Sequence, residues 1–397
     1  VMDVILNSTG EIWKNSSLDD DVIESEGTSS GDEGVIRFCF ACRIVAITLY
    51  TVLSVVGFVG NALIVGVILY FQRLRTATNY LILNLAVADM MISMFCMPFS
   101  YWHVIIFDDQ RWLFGAVSCK FFNFLQATAV FLSSWTLVAI SFDRFMAIMF
   151  VMTPWLRLTR KRAFYLILIT WAFSAGMALP LFIVNHTEEG VVTPGVVTCS
   201  EDWKLLSFLG DTNKVIHTYT TVVFALQYLL PLFVLIVTYT FIGIKMWNSK
   251  VPGADRTSST RCVVQGRHES VKKLIPMVLL VSALYAGCWA PQNLLMNIWV
   301  NYDPEIVSHP YILYIWWMSH TLAMFHSIVN PFIYYWQNRR IHEGVTYVLR
   351  FLPCVNFEGL NLLEDKKGTR AVRIVNMVAY LPIAGKDTVH STVSLSG

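Results

Sequence analysis

The chain has 397 residues, of which 55% are hydrophobic and only 14% are charged, and its formal net charge is +2. An average soluble domain carries about a quarter charged residues. A water-soluble fold of this length could not cover its surface with so few charges, so the composition excludes such a fold and makes lipid part of the solvent.

The amino-terminal segment, residues 1–42, is polar and acidic. Residues 1–34 contain nine Asp or Glu residues but a single base, Lys14. They lack the basic flank and apolar run of a secretory signal peptide, so insertion is expected to depend on the first hydrophobic helix. The acids could concentrate a basic ligand by electrostatic steering. A disordered, glycosylated tail is the other interpretation.

Seven mostly apolar stretches follow, each long enough to span a bilayer as a helix. Their predicted limits are 43–71, 79–104, 116–149, 161–184, 214–248, 271–300 and 310–336. The alternating pattern of barrel strands is absent, which leaves helices as the spanning elements. The sequence therefore predicts an all-α membrane protein with a seven-transmembrane helix bundle over residues 43–336.

The distribution of Lys and Arg predicts the orientation of this bundle. Bases concentrate in alternate connections, including residues 157–162 and 245–273, and the positive-inside rule places that set in the cytoplasm. We expect a multi-pass protein of the plasma membrane with an extracellular amino terminus and a cytoplasmic carboxyl terminus. Three N-glycosylation sequons fall on predicted extracellular segments, at Asn7, Asn15 and Asn185.

The segment after the seventh span is amphipathic. Residues 337–352 are predicted to form a short helix lying on the inner membrane surface. Cys354 comes next and is either palmitoylated or an unmodified thiol. Residues 353–397 show no periodicity and are predicted to form a flexible cytoplasmic tail.

Polar residues inside membrane spans are costly and are functional candidates by default. Asp89 in the second span must face the bundle interior, where Asn61, Ser133 and Asn330 could supply hydrogen-bond partners. A purely structural network is the alternative. The adjacent charges Asp143-Arg144, at the end of the third span, could pair at rest and be released for a partner protein.

The sixth and seventh spans each contain a proline. Pro291 removes a backbone hydrogen bond and kinks its helix near Trp289, a side chain large enough to take alternative packings. Pro331 loosens the backbone between Asn330 and Tyr334, which share one helical face. Any one of these residues alone is more often part of core packing than of a mechanism.

Together, in this order on successive helices, these motifs resemble the rhodopsin-like (class A) G-protein-coupled receptors over roughly residues 43–352. The matching elements are Gly60-Asn61, Asn84 to Asp89, Trp112, Asp143-Arg144, Trp171, Pro231, Cys288 to Pro291, and Asn330 to Tyr334. Three positions depart from the family pattern. Phe145 stands where Tyr is usual, Tyr285 where Phe is usual, and His326 where Asn is common.

The resemblance implies a role for each group of residues. Trp289, Pro291 and the Asn330-Pro331…Tyr334 turn would form the activation switch, while Asp143, Arg144 and Tyr239 would couple to a heterotrimeric G protein. Cys119 and Cys199 match the family's disulfide. A sodium ion could bind near Asp89, Asn61 and Ser133, and His326 would weaken the binding of that ion. An inhibitory Gα subunit, arrestin and receptor kinases are implied partners; no other cofactor, metal or nucleic acid is expected.

The same resemblance narrows the ligand class. Opsins need a lysine in the seventh helix, where residues 310–336 contain none, and amine receptors need an acid where Gln126 stands. The segment Cys199 to Trp203, followed by Tyr219-Thr220-Thr221, is similar to the neuropeptide FF, RFamide and neuropeptide Y group, although their acid at the outer end of the sixth helix is replaced by Val300. The implied peptide-binding residues are Gln126, Glu201, Asp202, Gln292, Asn293, Met296, Trp316 and His320.

Other interpretations remain open. Glu201 and Asp202 could pair with an Arg or Lys of a peptide, or could simply be a solvated loop face. A small polar or lipid ligand is the alternative within the same family. A transporter would show internal repeats and broken helices, and a membrane enzyme would need a nucleophile–base or metal-ligand set; the sequence shows neither.

Overall fold

A computed structural model describes residues 40–101, 111–150, 153–189, 195–248, 275–299, 311–353 and 355. The predicted sequons at Asn7 and Asn15, the predicted palmitoylation site Cys354 and nearly all of the predicted tail lie outside these residues.

Seven long helices and one short helix make up most of the described chain. Their bounds are α1 Phe40–Tyr70; α2 Ala77–Met91, continued by a π-helical turn Ile92–Cys96 and by Met97–Tyr101; α3 Ala116–Met149; α4 Arg160–Val184; α5 Thr212–Phe224, continued by a π-helical turn Ala225–Leu229 and by Leu230–Asn248; α6 Ile275–Leu294 with a π-helical turn Leu295–Trp299; α7 Ile312–Gln337; and α8 Arg339–Val348.

Within the described residues, α1 to α6 are long and apolar enough to cross a membrane. The seventh helix, with 26 residues, is also long enough to span a bilayer, and its polar residues include two histidines, an asparagine and three serine or threonine residues. The predicted limits agree closely with these helices, and α3 has the same bounds as its prediction. The predicted surface helix 337–352 is shorter in the structure, because Asn338 caps α8 by accepting hydrogen bonds from the backbone N–H groups of Arg340 and Ile341.

The connection between α4 and α5 contains strands, which the prediction of an all-α fold omitted. Strand β1, Asn185–Glu189, pairs antiparallel with β2, Val197–Glu201, and a 3₁₀ segment Trp203–Leu209 follows. The sequence Asn-His-Thr-Glu-Glu of β1 has little intrinsic strand propensity, so hydrophobic alternation could not reveal it. The Cys199 disulfide and the hydrogen bonds between the two strands hold this hairpin in place.

Small residues let α1 approach its neighbours closely. A Cβ atom added at Gly57 would lie 2.5 Å from the hydroxyl of Ser93 on α2, and one added at Gly60 would lie 3.2 Å from Pro331 on α7. Small residues at such contacts are the usual means of packing helices within a bilayer. They bring the polar groups of α1, α2 and α7 together in one buried region.

Candidate functional site

The buried carboxylate of Asp89 lies at the centre of a network that joins α2, α3 and α7. Asn330 donates a 2.7 Å hydrogen bond to one carboxylate oxygen, and the hydroxyl of Ser133 lies 3.5 Å from the other, at the outer limit for a hydrogen bond. Asn61 on α1 donates to the backbone carbonyl of Ser327, one turn before Asn330. Asn61, Asp89 and Asn330 are all fully buried. The predicted polar group is therefore brought together in the structure.

A second group of polar contacts ties α2 to α3 and α4 close to this network. The side-chain amide of Asn84 donates to the hydroxyl of Thr136 at 2.8 Å, and its carbonyl accepts from the indole N–H of Trp171 at 2.9 Å. Because each partner lies on a different helix, the side chain of Asn84 fixes the relative position of three helices.

The charged pair at the end of α3 is closed. Arg144 bonds Asp143 at 2.8 Å, and both side chains are largely buried. The hydroxyl of Thr78, in the first turn of α2, donates to the same Asp143 oxygen at 2.8 Å and accepts from Arg144. Sequence analysis missed Thr78, since nothing in its local pattern indicates a partner 65 residues further along the chain.

Tyr239 on α5 lies near this end of the bundle. Its hydroxyl is 3.3 Å from that of Ser282 on α6, and both Tyr239 and Phe145 pack against the buried pair Ile148 and Ile242. The aromatic ring at position 145 therefore contributes to packing between α3 and α5, which explains why Phe can stand where Tyr is usual.

Trp289 and Pro291 lie in the middle of α6, as predicted. The indole of Trp289 is buried, its ring centroid is 6.3 Å from that of Tyr285, and its N–H has no hydrogen-bond partner among the described residues. The hydroxyl of Tyr285 donates to the backbone carbonyl of Gln227 at 2.6 Å. Tyr285 therefore joins α6 to the π-helical turn of α5, and this bond is a physical reason for Tyr in place of Phe.

Polar and aromatic side chains that are predicted to bind the ligand occupy the end of the bundle that carries the disulfide, which we call the disulfide end. His320 on α7 stacks on Trp316 at 4.8 Å, and its Nδ1 lies 2.6 Å from the hydroxyl of Tyr50 on α1. Its Nε2 is buried without a hydrogen-bond partner among the described residues. Tyr50 was not predicted as part of this group, because its position in α1 is as compatible with lipid contact as with the interior.

The remaining predicted pocket residues lie on α3 and α6. Gln292 accepts a 2.7 Å hydrogen bond from Ser319, which joins α6 to α7. Asn293 is buried and donates to the backbone of Trp289, whereas Met296 and Gln126 are half-buried. The group as a whole is aromatic, amphipathic and free of lysine and arginine.

The hairpin is fixed to the disulfide end at several points. Cys119 at the start of α3 is bonded to Cys199 in β2, as the sequence predicts. The backbone N–H of Trp112 donates to Val197 at 2.7 Å, and that of Asp202 donates to Val184 at 2.9 Å. Cys42 is also disulfide-bonded, whereas Cys96 and Cys288 are free and buried.

The two predicted ligand-binding acids of this loop have partners within the protein. Glu201 accepts a 2.8 Å hydrogen bond from the indole N–H of Trp203, and Asp202 caps the 3₁₀ segment by accepting from the backbone of Lys204. Trp203 is buried against Tyr219 on α5, with ring centroids 5.2 Å apart. Both carboxylates are half-buried rather than fully solvated, so the structure fixes their positions.

Asn185, the third predicted glycosylation residue, is buried in the structure. Its side chain is only 2% exposed. The amide nitrogen, which would carry the glycan, donates to the carbonyl of Leu181 at 2.7 Å, and the amide oxygen accepts from Asn123 on α3 at 2.9 Å. Asn185 therefore acts as a buried connection between α3, α4 and β1, and its glycosylation stays a prediction.

Comparison with known proteins identifies the family. The family model described as "7 transmembrane receptor (rhodopsin family)" matches residues 60–334. The chain is 53% identical to "Neuropeptide receptor 22" of Caenorhabditis elegans, with 81% of this chain and 74% of the relative aligned. It is 32% identical to the "RYamide receptor" of Tribolium castaneum, over 78% of this chain and 81% of the relative.

A mammalian relative gives the same result. The chain is 32% identical to the human "Substance-K receptor", over 84% of this chain and 81% of the relative. The family implies that the seven helices form one transmembrane bundle, in agreement with the helices and buried motifs described above. The chain belongs to the rhodopsin family of seven-transmembrane receptors.

Proposed function

We propose that this chain is a neuropeptide receptor that binds its ligand at the disulfide end and activates a heterotrimeric G protein at the end that carries Arg144. The observation that carries the proposal is the combination of a closed Asp143–Arg144 pair with a fixed hairpin at the opposite end of the bundle. Its similarity to a neuropeptide receptor and to an RYamide receptor supports the peptide class.

The ligand is a peptide with an amidated aromatic carboxyl terminus and a nearby Arg, as in the RFamide and neuropeptide Y type. The proposed pocket residues Gln126, Gln292, Asn293 and His320 are neutral amides and an imidazole, and Trp316 adds an aromatic face. A free carboxylate would be buried there without a lysine or arginine, at high cost. A carboxamide can donate and accept hydrogen bonds instead.

The acids of the hairpin supply the complementary charge. Glu201 and Asp202 are held beside the disulfide, and an ionised carboxylate can accept two parallel hydrogen bonds from an arginine. This places the basic residue of the peptide at the mouth of the pocket and its amidated terminus towards Trp316 and His320.

Activation follows from differential binding. The ligand favours an alternative packing around Trp289 and Pro291, and the inner half of α6 moves outward. Arg144 then leaves Asp143. Together with Tyr239 and Tyr334, Arg144 contacts the carboxyl-terminal helix of Gα. A ligand shifts this equilibrium only by its preference for the active state, and moving it from 1:99 to 99:1 requires about 5.5 kcal/mol. Peptide and G protein therefore strengthen each other's binding reciprocally.

The orientation and further partners are part of the same proposal. The receptor lies in the plasma membrane with the disulfide end outside, which agrees with the basic residues at the Arg144 end. An inhibitory Gα subunit, receptor kinases and arrestin are its cytoplasmic partners.

A sodium ion near Asp89 is proposed as an allosteric ligand. The carbonyl oxygens of the Asn61 and Asn330 side chains are buried without a hydrogen-bond donor among the described residues. With the Asp89 carboxylate and the Ser133 hydroxyl they form a set of oxygen donors of the kind that hard cations prefer. The imidazole of His326 is fully buried beside Tyr285, with ring centroids 5.4 Å apart, and occupies volume that an Asn would leave to water.

The test is a panel of amidated neuropeptides and their free-acid forms, applied to cells expressing the receptor and to purified receptor with and without G protein. At least one Arg-containing amidated peptide should activate it, its free acid should be at least about 100-fold weaker, and G protein should raise peptide affinity. Equal potency of amide and acid, or an affinity that G protein leaves unchanged, contradicts the proposal. Activation by a lipid or small polar ligand alone would support the alternative within the family.

Substitutions on the hairpin test the charge complementarity. Glu201→Gln and Asp202→Asn should each reduce the potency of the Arg-containing peptide, and replacing the peptide's Arg should abolish that difference. Glu189→Gln, which removes an exposed acid from the same hairpin, is the matched control and should leave potency unchanged. Unchanged potency in both acid variants would refute the placement of the basic residue.

A further inference from the structure

The 3₁₀ segment Trp203–Leu209, between β2 and α5, has three different edges. Because a 3₁₀ helix has three residues per turn, side chains three apart lie one above the other. Trp203 and Leu206 form one edge, and both are buried. Lys204 and Ser207 form a second edge, which is polar and exposed. The first edge therefore faces the protein, and the second suits contact with water.

The third edge of this segment is apolar and largely exposed. Leu205 is 50% and Phe208 is 78% exposed, and Leu209, at the end of the segment, is 65% exposed. An exposed apolar cluster on a loop marks an interaction surface. An apolar edge beside a polar edge is the arrangement of amphipathic segments that lie at a membrane surface.

The buried edge fixes the segment to the ends of α4 and α5. Trp203 and Leu206 cluster with Val184, the last residue of α4, and Tyr219 of α5 packs against them. The backbone N–H of Asp202, directly before the segment, donates to the carbonyl of Val184 at 2.9 Å. The segment therefore lies at the level where α4 ends.

The length of α4 places this level at the surface of the bilayer. From Arg160 to Val184 the helix has 25 residues, which corresponds to about 37 Å at about 1.5 Å per residue. The hydrocarbon core is about 30 Å thick, and the bilayer with its headgroup regions is about 40–45 Å thick. With Arg160 among the headgroups of one leaflet, Val184 lies at the boundary between hydrocarbon and headgroups of the other.

The surface of α4 that faces lipid continues to this level. Leu179 is exposed, and so are Phe182 and Ile183, directly before the end of the helix at Val184. Because Asp202 is bonded to Val184, the apolar edge of the 3₁₀ segment extends a surface that already contacts acyl chains. Lipid is therefore the partner that fits this edge.

We propose that Trp203–Leu209 anchors the hairpin to the membrane surface, with the side chains of Leu205 and Phe208 inserted into the leaflet at the disulfide end. Lys204 extends its ammonium group towards the lipid phosphates, as long basic side chains do at membrane interfaces. The membrane then supports the hairpin in addition to the disulfide and the strand pairing. The insertion does not depend on the identity of the ligand, and only the assignment of this leaflet to the cell exterior rests on the proposed orientation.

Depth-dependent quenching of a fluorescent label tests the insertion directly. Dansylalanine replaces Phe208 in the full chain, which is reconstituted in phosphatidylcholine nanodiscs with a single receptor per disc. Lipids with a nitroxide near the headgroup end of the acyl chain should quench this label strongly, and aqueous iodide should quench it weakly. The control is the same label in place of Glu189, an exposed residue of the hairpin, for which iodide should quench strongly and the lipid nitroxide weakly.

The other possible occupants of the edge give different results. Iodide quenching at Phe208 as strong as at Glu189, with weak lipid quenching, would overturn the proposal. Protection of the label only when a second receptor shares the disc would assign the edge to a second copy of the chain. Protection only after addition of an activating peptide would assign it to the ligand, and either result would refute the membrane anchor.

Matched variants separate the apolar edge from the fold of the loop. L205S/F208S should raise hydrogen–deuterium exchange of residues 203–209 in nanodiscs by about tenfold or more, because full burial of one such side chain is worth about that factor in an equilibrium constant. V197S, which replaces an exposed apolar residue of β2, should leave that exchange unchanged. A thiol count should find the Cys119–Cys199 disulfide intact in both variants. The proposal fails if L205S/F208S exchanges like the parent.

Discussion

The amide of Asn330 on α7 donates a 2.7 Å hydrogen bond to the carboxylate of Asp89 on α2, although 241 residues separate them in the chain. Both side chains are fully buried. A carboxylate inside the bundle must be satisfied by the protein, because lipid offers no hydrogen-bond donor. Through this bond, the packing of α7 therefore contributes to the free energy of burying the Asp89 side chain.

Replacing Asn330 should reveal that dependence. Asn330→Ala leaves a buried Asp89 oxygen without its donor, which costs about 1–3 kcal/mol or more for a charged group. We expect lower thermal stability of the purified receptor and weaker peptide-stimulated G-protein activation. Thr51→Ala, which removes an exposed hydroxyl that donates to the backbone carbonyl of Ile47 on its own helix, is the control. Unaltered stability in Asn330→Ala would contradict a structural role for the bond.

Thr78 should restrain the closed Asp143–Arg144 pair. Thr78→Val keeps the side-chain shape but removes the hydroxyl that contacts both charges. A hydrogen bond is worth about 0.5–1.5 kcal/mol net, so ligand-free G-protein activation should rise about two- to tenfold. Thr220→Val should leave it unchanged, because among the described residues the Thr220 hydroxyl bonds backbone carbonyls of its own helix. A basal signal identical to the parent in Thr78→Val would show that the hydroxyl does not restrain the pair.

Asn185 and Thr187 separate glycosylation from structure. Thr187→Ala destroys the sequon but keeps Asn185, and we expect no loss of peptide binding and no change in the mass removed by enzymatic deglycosylation. Asn185→Ala should instead reduce stability, since Asn123 and Leu181 lose their partner. A smaller glycan mass in Thr187→Ala would show that Asn185 carries a sugar after all.

The disulfide should be required for the shape of the binding end. Cys119→Ser/Cys199→Ser releases the hairpin from α3, and removal of a native disulfide commonly costs about 2–5 kcal/mol. Peptide binding per receptor at the cell surface should fall by at least about tenfold. Cys96→Ala removes a cysteine that is free in the structure and should preserve binding. Equal binding in the double variant would show that the strand pairing alone holds the hairpin.

The predicted and observed structures agree where the signal is local or periodic. The apolar run of residues 116–149 marks α3 to the residue, and the buried positions of Asp89 and Asn330 follow from the cost of polar groups in lipid. Pairings between distant side chains leave no such trace. The contact of Thr78 with Asp143 depends on how α2 packs against α3, which neither segment encodes alone.

The features of the disulfide end that were not predicted have a similar origin. The Asn185 sequon is a three-residue pattern, and burial of its amide arises only when α3 and α4 have packed together. The strand Asn185–Glu189 lacks alternation because one hairpin on a membrane protein has no separate core to cover. The strand is held in place by its hydrogen bonds to Val197–Glu201 and by the Cys199 disulfide, and not by the strand propensity of its own residues.

The contacts of α7 have a consequence for biosynthesis. Its residues His320, Ser327, Asn330 and Pro331 contact Tyr50, Asn61, Asp89 and Gly60 on the first two helices. A nascent chain that still lacks α7 therefore has the Asp89 carboxyl group in the membrane without its hydrogen-bond donor Asn330. The surface of α1 around Gly60 then also lacks Pro331, against which it packs. The bundle is complete only after α7 has been inserted. Chains that end before residue 312 should therefore be retained and degraded in the cell rather than act as partly working receptors.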